Sequence, residues 1–236
     1  MATMTEQMRP AVIVLAAGSG TRFGHSTNKV WLPLSGRRII SRSLTIATRG
    51  FDKPRAVLVI HPSDEELAKQ VIAREIPDIK VEIVYGGATR HESEYNAIKH
   101  LEKEIKRGDI NVILIHDGAR PLATSALFKT IAETAHRHGG AIPTIPVNPL
   151  EMDQRYSEPL VRVQTPQGYQ AQILLDAYEA AAEVNFHGTD TGACVEKFLP
   201  NVKTISVNAD STNVKITYPQ DLAIAEHVLE KRGYTD

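Results

Sequence analysis

The sequence predicts an α/β fold, a three-layer sandwich in which a mostly parallel sheet lies between two sets of helices and carries a projecting β-arm. Three observations support this. Apolar runs of strand length recur along the whole chain, helical patterns fall between most of them, and a proline-rich stretch breaks the alternation.

The first strand, 11–16, contains the run Val12-Ile13-Val14-Leu15, whose continuous apolarity fits a strand buried on both faces. Helix 37–49 leads to strand 55–60, helix 63–75 to strand 80–85, helix 92–105 to strand 111–116, and helix 124–138 to strand 140–147. Between Pro143 and Pro166 the chain holds prolines at 143, 146, 149, 159 and 166 around a polar stretch, 151–158. Proline fixes φ and removes a backbone donor, so 146–160 is expected to be a projecting arm or hairpin, the alternative being a surface loop. Strand 160–165, helix 170–184, strand 202–207 and helix 218–232 complete the pattern. The last helix carries a start signal, a Thr217-x-x-Gln220 capping box with Pro219. Right-handed crossovers bring the loops after the strands to one sheet edge, where ligands of such sheets bind.

The 236 residues, 42% hydrophobic, suffice for one large α/β domain spanning 1–236. With 27 basic and 28 acidic side chains the formal net charge is −1, which argues against nucleic acid as a partner and makes any cation cluster local. Cys194 is the single cysteine, so internal disulfides and multi-cysteine zinc sites are excluded and a reducing compartment is expected. No apolar stretch approaches the ~20 residues that span a bilayer. The polar start, Met1 to Pro10, has no secretory pattern, so a cytoplasmic location is expected.

The first strand opens into Ala16-Ala17-Gly18-Ser19-Gly20-Thr21-Arg22-Phe23-Gly24, with Lys29 beyond. Glycines let successive N–H groups approach phosphate oxygens, and Arg22 and Lys29 add full charge, so the loop suits a polyphosphate. Gly18, Gly20 and Gly24 give G-x-G-x-x-x-G, which is neither the dinucleotide fingerprint nor a P-loop. A glycine-rich turn with two solvated cations is the bland alternative.

After strand 111–116 comes His116-Asp117-Gly118-Ala119-Arg120-Pro121, where Asp117 is placed to hold Mg²⁺ or to cap the following turn. Arg120 reads as a structural partner of a carboxylate or carbonyls. After strand 80–85, Gly86-Gly87-Ala88-Thr89-Arg90-His91-Glu92-Ser93 offers a base or ribose contact, or a Gly-Gly turn with Ser93 capping a helix. Lys215, just before the last helix, joins an anion site or is a solvated lysine. Together these residues form an electrostatic clamp suited to nucleotidyl transfer, in which positioning and charge neutralisation are most of the task. No activated nucleophile is visible, and Cys194 reads as core.

These residues resemble the 2-C-methyl-D-erythritol 4-phosphate cytidylyltransferase family and its relatives acting on ribitol 5-phosphate. The resemblance spans about 11–230. It rests on Leu15-Ala16-Ala17-Gly18-Ser19-Gly20-Thr21-Arg22, Gly86-Gly87-x-x-Arg90-x-x-Ser93, His116-Asp117-Gly118-Ala119-Arg120-Pro121, Val163-Gln164-Thr165-Pro166-Gln167-Gly168-Tyr169, Thr189-Asp190 and Asn213-Val214-Lys215-Ile216-Thr217 followed by Asp221-Leu222. It implies a Rossmann-like, nucleotide-diphospho-sugar transferase type of fold. It also implies Mg²⁺-dependent attack by a polyol-phosphate oxygen on the α-phosphorus of CTP, with release of pyrophosphate. Arg22 and Lys29 match transition-state cations, Lys215 a residue orienting the acceptor phosphate, and Asp117 the residue close to metal and acceptor. Ala16, Ala17, Gly18, Gly20, Gly87, Ala88, Ser93 and Gly118 fall where the family holds the nucleotide, and the arm is expected to join a homodimer.

The sequence departs from the family pattern in three places. Asn28-Lys29-Val30-Trp31 stands where Pro-Lys-Gln-Phe/Tyr is usual. The arm carries Pro149-Leu150 and Ser157 where Asp-Thr and an acceptor-positioning Arg are usual, with Arg155 two residues from that position. Thr189-Asp190-Thr191-Gly192 replaces Thr-Asp-Asp/Glu-Ala. The expected acceptor is methylerythritol 4-phosphate, with ribitol 5-phosphate or another polyol phosphate as its nearest rival. A sugar-1-phosphate nucleotidyltransferase is a broader rival, disfavoured by the Gln164-Thr165-Pro166-Gln167 run and the short chain. A catalytically silent nucleotide-binding regulator is the alternative from another class, disfavoured by Arg22, Lys29, Asp117 and Lys215.

Overall fold

The computed structural model describes residues 7–18, 28–148 and 160–234. Its centre is an eight-stranded sheet, ordered β10 (Thr204–Asn208), β7 (Gly140–Pro146), β9 (Gln167–Gln170), β6 (Val112–Asp117), β1 (Pro10–Leu15), β4 (Arg55–Ile60) and β5 (Val81–Tyr85), with β8 (Val161–Val163) paired to β7. β1 runs parallel to both β4 and β6, and β10 runs parallel to β7. β8 and β9 run antiparallel to their neighbours, which makes the sheet mixed.

Side chains alternate across each strand, so one apolar run fills two cores. Val12 and Val14 of β1 join Leu58, Ile60, Val112 and Leu114 in the core beneath α1 (Ile39–Arg49), α2 (Glu65–Glu75) and α5 (Ser125–His138). Ala11 and Ile13 join Val57, Val59, Ile113 and Ile115 beneath α3 (Arg90–His100), α4 (Glu102–Lys106), α6 (Ala171–Glu183) and α7 (Thr191–Phe198). Cys194 lies in that second core, where burial pushes its thiol up to about 12, in keeping with an inert core residue. α8 (Gln220–Lys231) packs Ala225 and Leu229 against Leu34, Ile39 and Leu122 in a third cluster.

All seven predicted strands are present, with ends shifted by a few residues. The predicted helix 92–105 is two helices, broken where Leu101 adopts φ −93°, ψ 1°. Arg37–Arg38, placed in the first helix by periodicity, instead forms β3 of a small hairpin with β2 (Pro33–Leu34). The predictions lack β9 and α7. β9 is four residues long and two of them are glutamine, so its sequence carries little strand signal. The capping box is also corrected. Asp221 Oδ2, not Gln220, accepts the Thr217 and Tyr218 N–H groups at 2.7 and 2.8 Å, and Pro219 occupies the cap.

Candidate active site

The carboxyl ends of β1, β5 and β6 meet over a cleft of about 760 Å³, a volume in the range of small-molecule sites. Leu15, Ala16, Ala17 and Gly18 form one wall, Gly86, Gly87, Ala88, Arg90 and Ser93 another, and Asp117, Ala119 and Lys215 the floor. Lys29 enters from the far end of the glycine loop. Among the predicted site residues that are described, Ala16, Ala17, Gly18, Lys29, Gly87, Ala88, Ser93, Asp117 and Lys215 line one cleft, whereas Gly118 is not among the lining residues and packs against Ile40, Val14 and the Leu15 carbonyl. Gly20, Arg22, Arg155 and Ser157, and most of the predicted arm, lie outside the described residues.

The β1 exit is packed so closely that glycine is required beside it. A Cβ on Gly86 would stand 2.4 Å from Ala17 Cβ and 2.7 Å from Ser93 Oγ, and one on Gly118 would stand 2.8 Å from the Leu15 carbonyl oxygen. Gly18 has open space around it, as befits a backbone facing the cleft. Lys29 sits in a 3₁₀ turn, Lys29–Trp31, that two side chains fix. Asn28 donates to the Ala16 carbonyl at 2.6 Å, tying the Lys29 turn to the exit of β1, and Trp31 Nε1–H donates to Asp64 Oδ2 at 3.0 Å. The departure at Asn28-Lys29-Val30-Trp31 therefore keeps the cation and supplies a polar clasp for it.

Ser93 is not the helix cap. Thr89 caps α3 by accepting from the Glu92 N–H, while Ser93 Oγ accepts from the Gly87 N–H at 3.2 Å and donates to the Thr89 carbonyl at 2.9 Å. It braces the Gly86-Gly87 loop from within.

Asp117 is the electrostatic centre. Its carboxylate lies 2.9 Å from Lys215 Nζ, 3.4 Å from Arg90 Nη2 and 3.5 Å from Arg120 Nε. Burial pushes the Asp117 carboxyl up, but Lys215, Arg90 and Arg120 outweigh it and hold the group well below the usual carboxylate range. Arg120 also donates to the Asn213 carbonyl at 2.7 Å, so both roles read for it from sequence, carboxylate partner and carbonyl partner, are realised.

Behind Asp117 stands a polar relay. Thr165 Oγ accepts from the Asp117 N–H at 3.0 Å and is 3.1 Å from His116 Nδ1, while His116 Nε2 is 3.1 Å from the Arg120 carbonyl. A carbonyl only accepts, so the proton belongs on Nε2 and Thr165 donates to Nδ1. Burial lowers the His116 pKa to about 4, which keeps the ring neutral. Asn213 donates to Gln164 Oε1 at 2.8 Å and to the Thr165 carbonyl at 3.0 Å, and the Ile216 N–H donates to the Ala119 carbonyl at 2.9 Å, so the Lys215 segment is fastened to the end of β6. Gln167 accepts from the Gly192 N–H at 3.0 Å and donates to Asp190, whose other oxygen caps α7. The Gln164-Thr165-Pro166-Gln167 run, which had no physical role in sequence, thus joins three elements around the site.

Sequence reasoning gave no role to Arg90, Glu94, Thr165, His116 or Asn213. The one local signal is the i,i+4 spacing of Arg90 and Glu94, which places them on one helix face. The others meet through contacts distant in sequence. Among the described residues no group of three or more His, Cys, Asp or Glu side chains could cage a metal. Asp117 is the one carboxylate among the described residues that line the cleft, which suits a cation that keeps most of its oxygen ligands from elsewhere, as Mg²⁺ does on a polyphosphate.

The model of the 2-C-methyl-D-erythritol 4-phosphate cytidylyltransferase family matches residues 11–231. The chain is 34% identical over 233 residues to the cytidylyltransferase of that name from Geobacillus kaustophilus, covering 95% of this chain and 99% of the relative. It is 32% identical to the one from Clostridioides difficile, covering 94% and 95%. Among solved structures, the enzyme of that name from Thermus thermophilus superposes with TM-score 0.69 at 26% identity, covering 94% of this chain and all of that one. The 4-diphosphocytidyl-2C-methyl-D-erythritol synthase of Anaerococcus prevotii superposes with TM-score 0.76 at 24% identity, covering 96% and 98%, and bears on the fold alone.

Proposed function

The chain belongs to the 2-C-methyl-D-erythritol 4-phosphate cytidylyltransferase family, and from that premise we propose how its own residues carry the reaction. It is a CTP-dependent cytidylyltransferase that transfers CMP to 2-C-methyl-D-erythritol 4-phosphate in isoprenoid precursor synthesis. An oxygen of the acceptor phosphate attacks the α-phosphorus of CTP, the bond to the bridging oxygen breaks, and pyrophosphate leaves. A phosphate monoester has its second pKa near ~6, so the attacking oxygen already carries charge at neutral pH and needs no general base. The protein's work is to align two anions and neutralise the charge between them.

In this reading Ala16, Ala17, Gly18, Gly87, Ala88 and Ser93, which line the cleft, hold the nucleotide together with Gly20 and Gly118. Arg22 and Lys29 meet the triphosphate, and Lys215 faces the acceptor phosphate and the α-phosphate. The observation that carries the assignment is the Lys215 ion pair with Asp117, which holds a cation in the same cleft that Ala16, Ala17 and Gly18 line. Asp117 would hold Mg²⁺ carried on the triphosphate, where the cation would supply charge neutralisation at the phosphates. Arg155 and Ser157, on an arm shared across a homodimer, complete the acceptor site. A cytoplasmic location suits the single, buried cysteine.

The test is pyrophosphate release with Mg²⁺ and CTP, UTP or GTP, crossed with methylerythritol 4-phosphate and ribitol 5-phosphate. Turnover is expected with CTP and the first acceptor. Preference for ribitol 5-phosphate would reassign the acceptor, and CTP binding without turnover on either would favour the silent regulator. Arg155→Ala should raise the acceptor KM; unchanged acceptor kinetics would remove Arg155 from the site.

A further inference from the structure

The roles just assigned leave one costly feature unexplained. Glu94 of α3 is 1% exposed, and burying a carboxylate is far more expensive than burying an apolar side chain of its size. Here both carboxylate oxygens have partners. Oε1 receives the Thr191 hydroxyl at 2.7 Å and lies 2.6 Å from Arg90 Nη1, while Oε2 receives the Tyr178 hydroxyl at 2.5 Å. Tyr178 is itself held from the other side, its ring stacked on His91 with centroids 4.7 Å apart and planes at 12°. Three helices, α3, α6 and α7, thus each give a polar group to one buried site.

A buried ion pair is weak grounds for stability, since apolar residues in the same space often do as well. What an apolar residue could not do is aim a guanidinium. Arg90 lines the cleft and pairs by charge with two carboxylates through its terminal nitrogens, Nη1 lying 2.6 Å from Glu94 Oε1 and Nη2 3.4 Å from Asp117 Oδ1. Both nitrogens belong to one rigid plane, so holding Nη1 in place sets where Nη2 lies and makes the two contacts interdependent.

We propose that Glu94 is a positioning residue for the reaction: its charge holds Arg90 Nη1 so that Nη2 stays against Asp117 and fixes that carboxylate between Lys215 and Arg120. The buried Glu94 site is the anchor, and Arg90 is the link from the helix layer to Asp117. Released from Glu94, Arg90 turns toward the triphosphate, the largest anion in the cleft, and Asp117 loses one of its three constraints. CTP binding then survives while the aligned geometry is lost. The inference rests on the cytidylyltransferase reading of the cleft.

The test is a double-mutant cycle with Glu94→Gln, which keeps the shape and removes the charge, and Arg90→Lys, which keeps the charge and removes the fork. Pyrophosphate release is measured with CTP and methylerythritol 4-phosphate at a temperature where circular dichroism shows each variant folded. Glu94→Gln is expected to lower kcat by about tenfold to a hundredfold, the scale of a small misplacement of reacting groups, without raising the KM for CTP. The double variant should lose no more than the worse single one, because both act through one guanidinium. Losses that multiply, or a folded Glu94→Gln with wild-type kcat, would overturn the proposal. Should Glu94→Gln not fold, Tyr178→Phe takes its place in the cycle, with non-additivity again expected and multiplied losses again overturning it. Absence of turnover in the wild-type protein would instead overturn the reading of the cleft.

Discussion

Lys215 Nζ stands 2.9 Å from Asp117 Oδ2, joining the segment before the last helix to the end of the central strand β6. Lys215 is 40% exposed on its side chain and Asp117 10%, so the pair is rooted in the protein on one side and open to the cleft on the other. A cation held in this way is oriented before any phosphate arrives, and orientation in advance is what makes a charge effective in a transition state.

Lys215→Ala should leave the fold intact and lower kcat by roughly a hundredfold, about 3 kcal/mol, the scale of removing one such contact. Lys29→Ala should behave similarly, since its turn is held by Asn28 and Trp31 rather than by the lysine. Pyrophosphate-release kinetics check both, and near-normal turnover in either variant would remove that lysine from the catalytic set.

Asp117→Asn should nearly abolish turnover yet tighten CTP binding in the absence of metal. The substitution removes a negative charge from a site where Lys215, Arg90 and Arg120 converge, so the cleft becomes more attractive to a polyanion. Titration calorimetry of CTP in EDTA measures the sign, and weaker binding would contradict the electrostatic account.

Thr165→Val preserves shape while removing the hydroxyl that serves both the Asp117 N–H and His116 Nδ1. Each group so orphaned costs about 1–3 kcal/mol, so denaturant unfolding should show a loss of roughly 2–6 kcal/mol. A loss under 1 kcal/mol would mean that the relay is dispensable.

His116 gives the fold a predictable acid sensitivity. Its pKa falls from 6.5 in the unfolded chain to about 4 in the buried site, so between these values the unfolded state binds a proton that the folded state does not. The contribution is complete above pH 6.5, declines as pH falls, and is gone near pH 4, a total of about 3 kcal/mol at ~1.4 kcal/mol per unit. Unfolding measured in EDTA across this range should show the decline, and His116→Gln, where it folds, should flatten it. An equal decline in both proteins would assign the acid sensitivity to other groups.

The amino-acid sequence by itself determined the layered architecture, because strands buried on both faces must be continuously apolar and the helices covering them must be amphipathic. It also determined the approximate edge at which ligands bind, since Gly18 and Asp117 fall just beyond the apolar strand runs 11–16 and 111–116. Two kinds of element escaped it. β9 and α7 are short, and the hydrogen bonds that fix them, such as Gln167 with Gly192 and Asp190, come from distant parts of the chain. The detailed electrostatics escaped it as well. That three cations rather than one surround Asp117, that Thr165 stands behind it, and that Glu94 grips Arg90 depend on the three-dimensional convergence of β6, α3, α6, α7 and the Lys215 segment. Periodicity reports which face of an element is dry, whereas which polar atoms meet in the dry space is decided only when the elements pack.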